Sequence, residues 1–182
     1  MTLLKSLPIF FAFTLFFSFE TVQSQDFPKL DASPLDISIS RNEDMSPIIR
    51  VIYSRPQKKN RTIFGELVPF GKVWRTGANE ATELDVFEPL ILANTIIQPG
   101  TYTLYSIPNE KEWIVIINKD TDTWGAYEYD QSKDILRVPI KPKKAAATIE
   151  SLSMAFMPTD DGVSLMIGWD DRFVEIPFKK VK

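Results

Sequence analysis

The chain has 182 residues, a net charge of −3 and neither histidine nor cysteine. The lack of both residue types excludes Ser-His-Asp and Cys-His catalysis and removes the preferred ligands of zinc, so we predict no bound metal and no cofactor. A net negative charge also argues against nucleic acid as a partner, because duplex-binding proteins normally present a basic surface.

A secretory signal peptide is predicted at residues 1–24. Lys5 provides a positive start, residues 7–19 form an apolar run, and Val22 and Ser24 occupy the small-residue positions of a cleavage site. The apolar run is shorter than the roughly 18 residues that a membrane span needs, which makes a transmembrane anchor the weaker alternative. We expect no membrane span after cleavage and a periplasmic or secreted location. An exported domain without cysteine is typical of a bacterial envelope.

Residues 25–182 are predicted to form a single β-sandwich domain. After an exposed lead-in at residues 25–34, Leu35, Ile37 and Ile39 alternate with polar residues, the period-two pattern of a half-buried strand. Ten further short runs have β-forming residues and are separated by turn residues. They are residues 48–54, 81–87, 95–98, 101–107, 113–118, 124–129, 135–140, 149–156, 163–169 and 172–178.

These runs predict an all-β fold, a single antiparallel sandwich of eight to ten strands with little helix. The order of the strands in the two sheets can be that of a jelly roll or of an immunoglobulin domain. Residues 143–151 are the best helix candidate. Pro139 and Pro177 fall inside predicted strands, so each should lie at an edge or a bulge.

Residues 51–82 contain three arginines near turns, Arg55, Arg61 and Arg75. An arginine side chain is a planar fork that binds carboxylate or phosphate through two hydrogen bonds, so the three can converge on an anion. The alternative is structural: the same arginines can form ion pairs with nearby carboxylates and hold the loops together.

The corner at residues 74–82 carries Trp74, Asn79 and Glu80 around Gly77. Glu80 is the one acid in a small, neutral patch, where it can bind a ligand, act as a base, or simply satisfy a tight turn. We predict that Arg55, Arg75, Asn79 and Glu80 converge, with Trp74 or Trp124 as one wall. The candidate ligand-binding residues are Tyr53, Arg55, Arg61, Trp74, Arg75, Asn79, Glu80, Asn118 and Trp124; Glu80 is also the candidate catalytic residue.

Four motifs occur in order: YSRP at residues 53–56, RTIFGELVPFGKVWRTGANEAT at 61–82, QPGTYTLYSIP at 98–108 and NKDTDTWGAY at 118–127. Together they resemble a family of secreted bacterial proteins known only as a domain of unknown function. The resemblance covers roughly residues 33–180. It implies an envelope-associated β-domain and brings no established reaction.

Three functions are consistent with the sequence. The first is a non-catalytic module that binds a small polar ligand such as a sugar, a peptide or an envelope component. The second is a histidine-independent hydrolase or lyase that uses Glu80 with an arginine. The third is a structural or assembly protein of the envelope. The sequence leaves the oligomeric state open.

Overall fold

The computed structural model describes residues 25–181, which form ten β-strands and one short 3-10 helix at Gln131–Lys133. The strands are β1 (Leu35–Arg41), β2 (Pro47–Ser54), β3 (Glu83–Val86), β4 (Leu90–Leu92), β5 (Thr95–Ile97), β6 (Gly100–Ile107), β7 (Trp113–Asn118), β8 (Asp134–Ile140), β9 (Lys143–Thr159) and β10 (Gly162–Lys180). The predicted all-β antiparallel sandwich of eight to ten strands is confirmed. The predicted signal peptide lies outside the described residues.

Two antiparallel sheets face each other. The larger has the order β1-β2-β3-β6-β7-β8 and the smaller has the order β5-β4-β10-β9. The alternation of side chains along each strand decides which residues enter the core. In β2, for example, Ile49, Val51 and Tyr53 are buried, and Val51 lies directly opposite the buried Leu84 of β3. Burying each such aliphatic side chain contributes about 1.5–3 kcal/mol.

Strand β10 turns back on itself at Asp170. A straight strand rises roughly 3.3 Å per residue, which would place Gly162 and Phe178 roughly 50 Å apart. They are instead in contact: a Cβ atom at Gly162 would lie 2.1 Å from the carbonyl oxygen of Phe178. The bend falls at Asp170, which has φ +57°, and the pairing with β9 shifts register on both sides of this residue. The runs predicted at 163–169 and 172–178 are therefore the two arms of one bent strand.

Two predicted elements are wrong. The helix candidate at residues 143–151 is the start of β9, where Lys143 and Lys144 pair with Phe173 and Arg172. Without an apolar stripe of helical period, pairing with β10 decides its conformation. The strand predicted at 124–129 is a series of turns, since Gly125 has φ +71° and leaves the extended region of backbone space.

The prolines follow the rule that proline cannot donate to a sheet ladder. Pro139 lies in β8, the edge strand of the larger sheet. Pro177 lies between the part of β10 that pairs with β9, which ends at Phe173, and the part that pairs with β4, which begins at Lys179.

Across residues 25–181, no helix has the length and apolar character needed to cross a membrane.

Candidate functional site

The corner at residues 74–82 is held in one conformation by its own hydrogen bonds. Thr76 is buried and has φ +54°, an unusual backbone angle for a β-branched residue. Its hydroxyl lies 3.0 Å from the Ser106 hydroxyl, and its carbonyl oxygen accepts a hydrogen bond of 2.9 Å from the Thr82 hydroxyl. The Trp74 indole donates to the Gly77 carbonyl oxygen at 3.1 Å. Surroundings that fix a strained residue this firmly make the corner rigid.

The corner separates two clefts. The first, which we call the arginine cleft, has a volume of about 410 Å³ and is lined by Trp74, Arg75 and Gly77 from the corner, with Arg61, Tyr127 and Trp169 from other segments. Within residues 25–181, no aspartate or glutamate contributes to its lining. A cleft of this size holds a small organic ligand.

Of the three arginines, Arg55 has a structural role. Its Nε atom donates to the Leu152 carbonyl oxygen at 3.1 Å, one terminal nitrogen donates to Asp36 Oδ2 at 2.9 Å, and the other donates to Ser153 Oγ at 2.9 Å. All three nitrogens of the guanidinium are therefore engaged in joining β1 and β9, the edges of the two sheets.

Arg61 and Arg75 differ from Arg55 and from each other. Arg61 donates to the carbonyl oxygens of Lys58 and Gln57, which closes its own loop. The half-buried Arg75 side chain forms neither a hydrogen bond nor an ion pair with any residue in the range 25–181. Among the three predicted arginines, Arg75 is the one whose guanidinium is available to a ligand.

Gly125 sets the position of the Arg75 guanidinium. A Cβ atom at Gly125 would lie 2.7 Å from one terminal nitrogen of Arg75 and 2.8 Å from Cε2 of Tyr127. Since Gly125 also has φ +71°, glycine is required there for two separate reasons.

Replacing Gly125 with alanine is expected to displace the Arg75 guanidinium and to destabilise the fold by about 1–2 kcal/mol, the cost of a left-handed non-glycine residue. The matched control is Gly71→Ala. Gly71 has a similar φ of +72°, yet its added Cβ would meet nothing closer than Asn109 Oδ1 at 3.9 Å. Urea denaturation should show a similar loss of free energy of unfolding in Gly125→Ala and in Gly71→Ala. The NMR signal of the Arg75 side-chain N–H should move only in Gly125→Ala. An unmoved signal in that variant would contradict the assigned contact.

An aromatic cluster forms the apolar wall of the arginine cleft. Trp74 stacks on Trp169, with ring centroids 6.0 Å apart and planes inclined by 19°. Trp113 and Phe64 meet the Trp74 ring edge-on at 6.3 and 6.4 Å. The Trp169 indole donates to the Glu150 carbonyl oxygen at 3.2 Å, so neither ring of the stacked pair is loosely held. The wall is rigid before any ligand arrives.

The second cleft, which we call the acidic cleft, lies on the other side of the corner and has a volume of about 480 Å³. Of the residues that the structure describes, four carboxylates and no lysine or arginine line it. They are Asp31, Glu80, Glu83 and Asp122. Burial raises the pKa of Glu83, and repulsion from Asp85 and Asp122 raises it further. Tyr53 also lines this cleft, and burial raises the pKa of its phenol, whose oxygen accepts a hydrogen bond from the Met154 amide.

Asn79 and Glu80 both belong to the acidic cleft. The Asn79 amide donates to Asp31 Oδ1 at 3.1 Å and ties the lead-in segment to the corner. Glu80 is exposed and forms no side-chain hydrogen bond or ion pair with the part of the chain that the structure describes. No group of three or more carboxylates among residues 25–181 is arranged to hold a metal ion.

Asn118 and Trp124 lie outside both clefts. Asn118 is buried, and its amide donates to the Asp130 carbonyl oxygen and to Asp134 Oδ1, which fixes the loop after β7. Trp124 has 62% of its surface exposed. The predicted convergence of Arg55, Arg75, Asn79 and Glu80 therefore divides in three: a sheet-joining arginine, an arginine cleft and an acidic cleft.

Comparison with known proteins gives one match. The model of a family described as "Protein of unknown function (DUF2911)" matches residues 36–178. The chain belongs to this family. The predicted resemblance to a domain of unknown function is thereby confirmed, and the matched region includes Arg75 and the aromatic cluster. No curated protein and no solved structure matches the chain. Membership identifies the domain without a reaction or a ligand, so function must be argued from the clefts.

Proposed function

We propose that this domain is an exported, non-catalytic module that binds a small carboxylate ligand in the arginine cleft. One observation carries the proposal: the Arg75 guanidinium is half-buried, lines a cleft without carboxylates, and has no partner within residues 25–181. Arginine side chains in folded proteins normally satisfy their donors, and the fork of Arg75 is shaped for two parallel hydrogen bonds to a carboxylate. Export rests on the predicted signal peptide.

The rest of the cleft specifies the body of the ligand. Trp74, supported from behind by the buried Trp169, offers an apolar wall, and Tyr127 adds an exposed aromatic ring. Aromatic surfaces of this kind bind flat or apolar groups, and the nearby Arg61 adds a second positive charge. The sequence predicted a sugar, a peptide or an envelope component as the ligand; a peptide that ends in a free carboxylate and a sugar that carries one would both combine an anion with a body that packs on tryptophan.

The hydrolase alternative requires Glu80 to act with an arginine. Glu80 lines the acidic cleft, whereas Arg75 and Arg61 line the arginine cleft and Arg55 is engaged with Asp36, Leu152 and Ser153. That division favours binding over catalysis as the role of Arg75.

A thermal-shift titration tests the proposal with N-acetylphenylalanine, which carries a carboxylate and an aromatic ring. The melting temperature is expected to rise with its concentration, because a ligand that binds only the folded state stabilises it by about 2.7 kcal/mol at a hundredfold excess over Kd. The matched control is N-acetylphenylalanine amide, which keeps the ring and removes the charge. Sodium chloride at equal ionic strength corrects for general salt effects. Equal shifts with acid and amide would contradict the proposal.

A further inference from the structure

Strand β1 presents its apolar side chains to solvent. Leu35 and Ile37 have 63% and 54% of their surfaces exposed, whereas Asp36 between them accepts hydrogen bonds from Arg55 and from the Tyr53 hydroxyl. The sequence predicted the alternation and implied that its apolar face is the buried one. The register with β2 accounts for the reversal: Asp36 lies directly opposite the buried Tyr53 and so shares its face of the sheet, where it pairs with Arg55.

The exposed apolar side chains of β1 share one face of the sheet with residues that line the acidic cleft. Ile37 lies directly opposite Ile52 of β2, and Ile52 lies directly opposite Glu83 of β3. Residues directly opposite each other in an antiparallel pair share one face of the sheet. Leu35, Ile52 and Glu83 also line the acidic cleft. Leu35, Ile37 and Ile52 thus form an apolar strip along β1 and β2, and Glu83 lies beside this strip on the same outer face of the sheet.

The end of this surface at the acidic cleft is negatively charged. Glu80 and Asp122 are exposed and form no ion pairs with residues 25–181. Arg50 also lies on this face and acts on Glu83 at longer range, but its hydrogen bonds, of 2.5 and 2.8 Å, go to Asp85 Oδ2. Glu80 and Asp122 therefore have no cation paired with them among residues 25–181, and charge complementarity favours a positively charged occupant.

We propose that this outer face binds an extended peptide segment in which apolar residues and lysine or arginine occur together at every second position and so lie on one face of the peptide. An extended peptide has the same two-residue repeat as β1, with side chains of one face roughly 6.6 Å apart. Its apolar side chains would pack on Leu35, Ile37 and Ile52 while its cations reach Glu83 and Asp122. The backbone amide of Ile37 donates to Asp36 Oδ1 at 2.8 Å, so it is not free to pair with an added strand. The contacts proposed are therefore between side chains.

The test is fluorescence anisotropy at low ionic strength with the labelled peptide Thr-Lys-Thr-Val-Thr-Val-Thr-Lys, called the Lys-Val peptide, in which lysines and valines share one face of the extended chain. Binding is expected, and it should weaken as salt is added because the contacts include exposed charges. A Glu-Val peptide, with glutamate in place of both lysines, should not bind. A Lys-Ser peptide, with serine in place of both valines, should bind at least tenfold more weakly, since it lacks the apolar side chains for the strip.

Three variants locate the binding. Asp122→Asn preserves the backbone, because asparagine tolerates the φ of +55° found there, and it should weaken binding of the Lys-Val peptide severalfold. Glu83→Gln combined with Asp122→Asn, and Ile37→Thr alone, should each weaken it at least tenfold. Glu112→Gln, an exposed carboxylate between β6 and β7 and outside this surface, is the control and should bind unchanged. Thermal melts confirm that each variant is folded.

Several outcomes would overturn the proposal. They are an absence of Lys-Val binding, equal binding of the Lys-Ser peptide, and binding that survives both the double variant and Ile37→Thr. Light scattering provides a separate result: a dimer that dissociates on Ile37→Thr would show that a second copy of the chain covers this face.

Discussion

Replacing Arg75 with glutamine is expected to weaken binding of N-acetylphenylalanine roughly ten- to hundredfold and to leave stability within about 0.5 kcal/mol of the unchanged protein. The affinity estimate follows from the loss of charged hydrogen bonds, which are worth about 1.5–3 kcal/mol. The stability estimate follows from the structure, because the Arg75 guanidinium has no partner among residues 25–181 whose loss would weaken the fold. Calorimetric titration and urea denaturation measure the two quantities.

Arg55→Gln is the matched control, and it should give the opposite result. It removes the hydrogen bonds to Leu152, Asp36 and Ser153 that join the sheet edges, so we expect a loss of about 1–2 kcal/mol of stability. Ligand affinity should be kept, because Arg55 does not line the arginine cleft. If both substitutions lower stability and neither changes affinity, residues 51–82 are scaffold and the proposed function is wrong.

The strands were predictable because their signals are local. A period-two pattern and the turn residues beside it depend on neighbours in sequence, and these placed nearly every strand of both sheets. The bend of β10 was not predictable in the same way. The sequence predicted separate runs at 163–169 and 172–178, but contact between Gly162 and Phe178 is a property of the folded chain.

The direction in which β1 faces shows a second limit. The alternation of Leu35, Ile37 and Ile39 was correctly recognised as a strand. Which face is buried depends on the register with β2, which places Asp36 opposite the buried Tyr53, and on Arg55, which pairs with Asp36 there. A pattern of apolar residues carries no information about such a partner, so hydrophobicity alone gave the wrong face.

The candidate site followed a similar division. The density of arginine, tryptophan and small residues predicted a site in residues 51–82, and this segment contributes to the lining of both clefts. It could not show which arginine is available, because the partners of Arg55 lie in β1 and β9. Nor could it show that the corner separates Arg75 from Glu80, which are close in sequence. Those facts depend on long-range contacts and on the backbone angles of Thr76 and Asn79.

Trp169 is the residue that the sequence did not suggest. It lies in a predicted strand near the end of the chain, where an aromatic residue indicates core packing and nothing connects it with Trp74. In the structure its ring stacks on Trp74 and lines the arginine cleft. Trp124, which the sequence did suggest as a wall, is exposed and lies outside the cleft.

The two tryptophans therefore make a matched pair. Trp169→Ala is expected to lower the free energy of unfolding by about 3–5 kcal/mol, the usual cost of deleting a fully buried aromatic ring. Trp169 is 1% exposed, and its loss also leaves the Glu150 carbonyl oxygen without its 3.2 Å donor. Trp124→Ala should change stability by less than about 0.5 kcal/mol. Urea denaturation of both variants measures the difference.

Binding measurements distinguish the contribution of the aromatic cluster from that of Arg75. In Trp169→Ala, measured at a temperature where the variant stays folded, N-acetylphenylalanine should bind more weakly, because Trp74 loses the ring that supports it. Acetate, which has no aromatic body, should compete for Arg75 equally well in the variant and in the unchanged protein. Trp124→Ala should leave both ligands unaffected. An unchanged affinity for N-acetylphenylalanine in Trp169→Ala would mean that Arg75 binds its anion without help from the aromatic cluster. The proposed ligand would then be any small anion, with no requirement for an aromatic body.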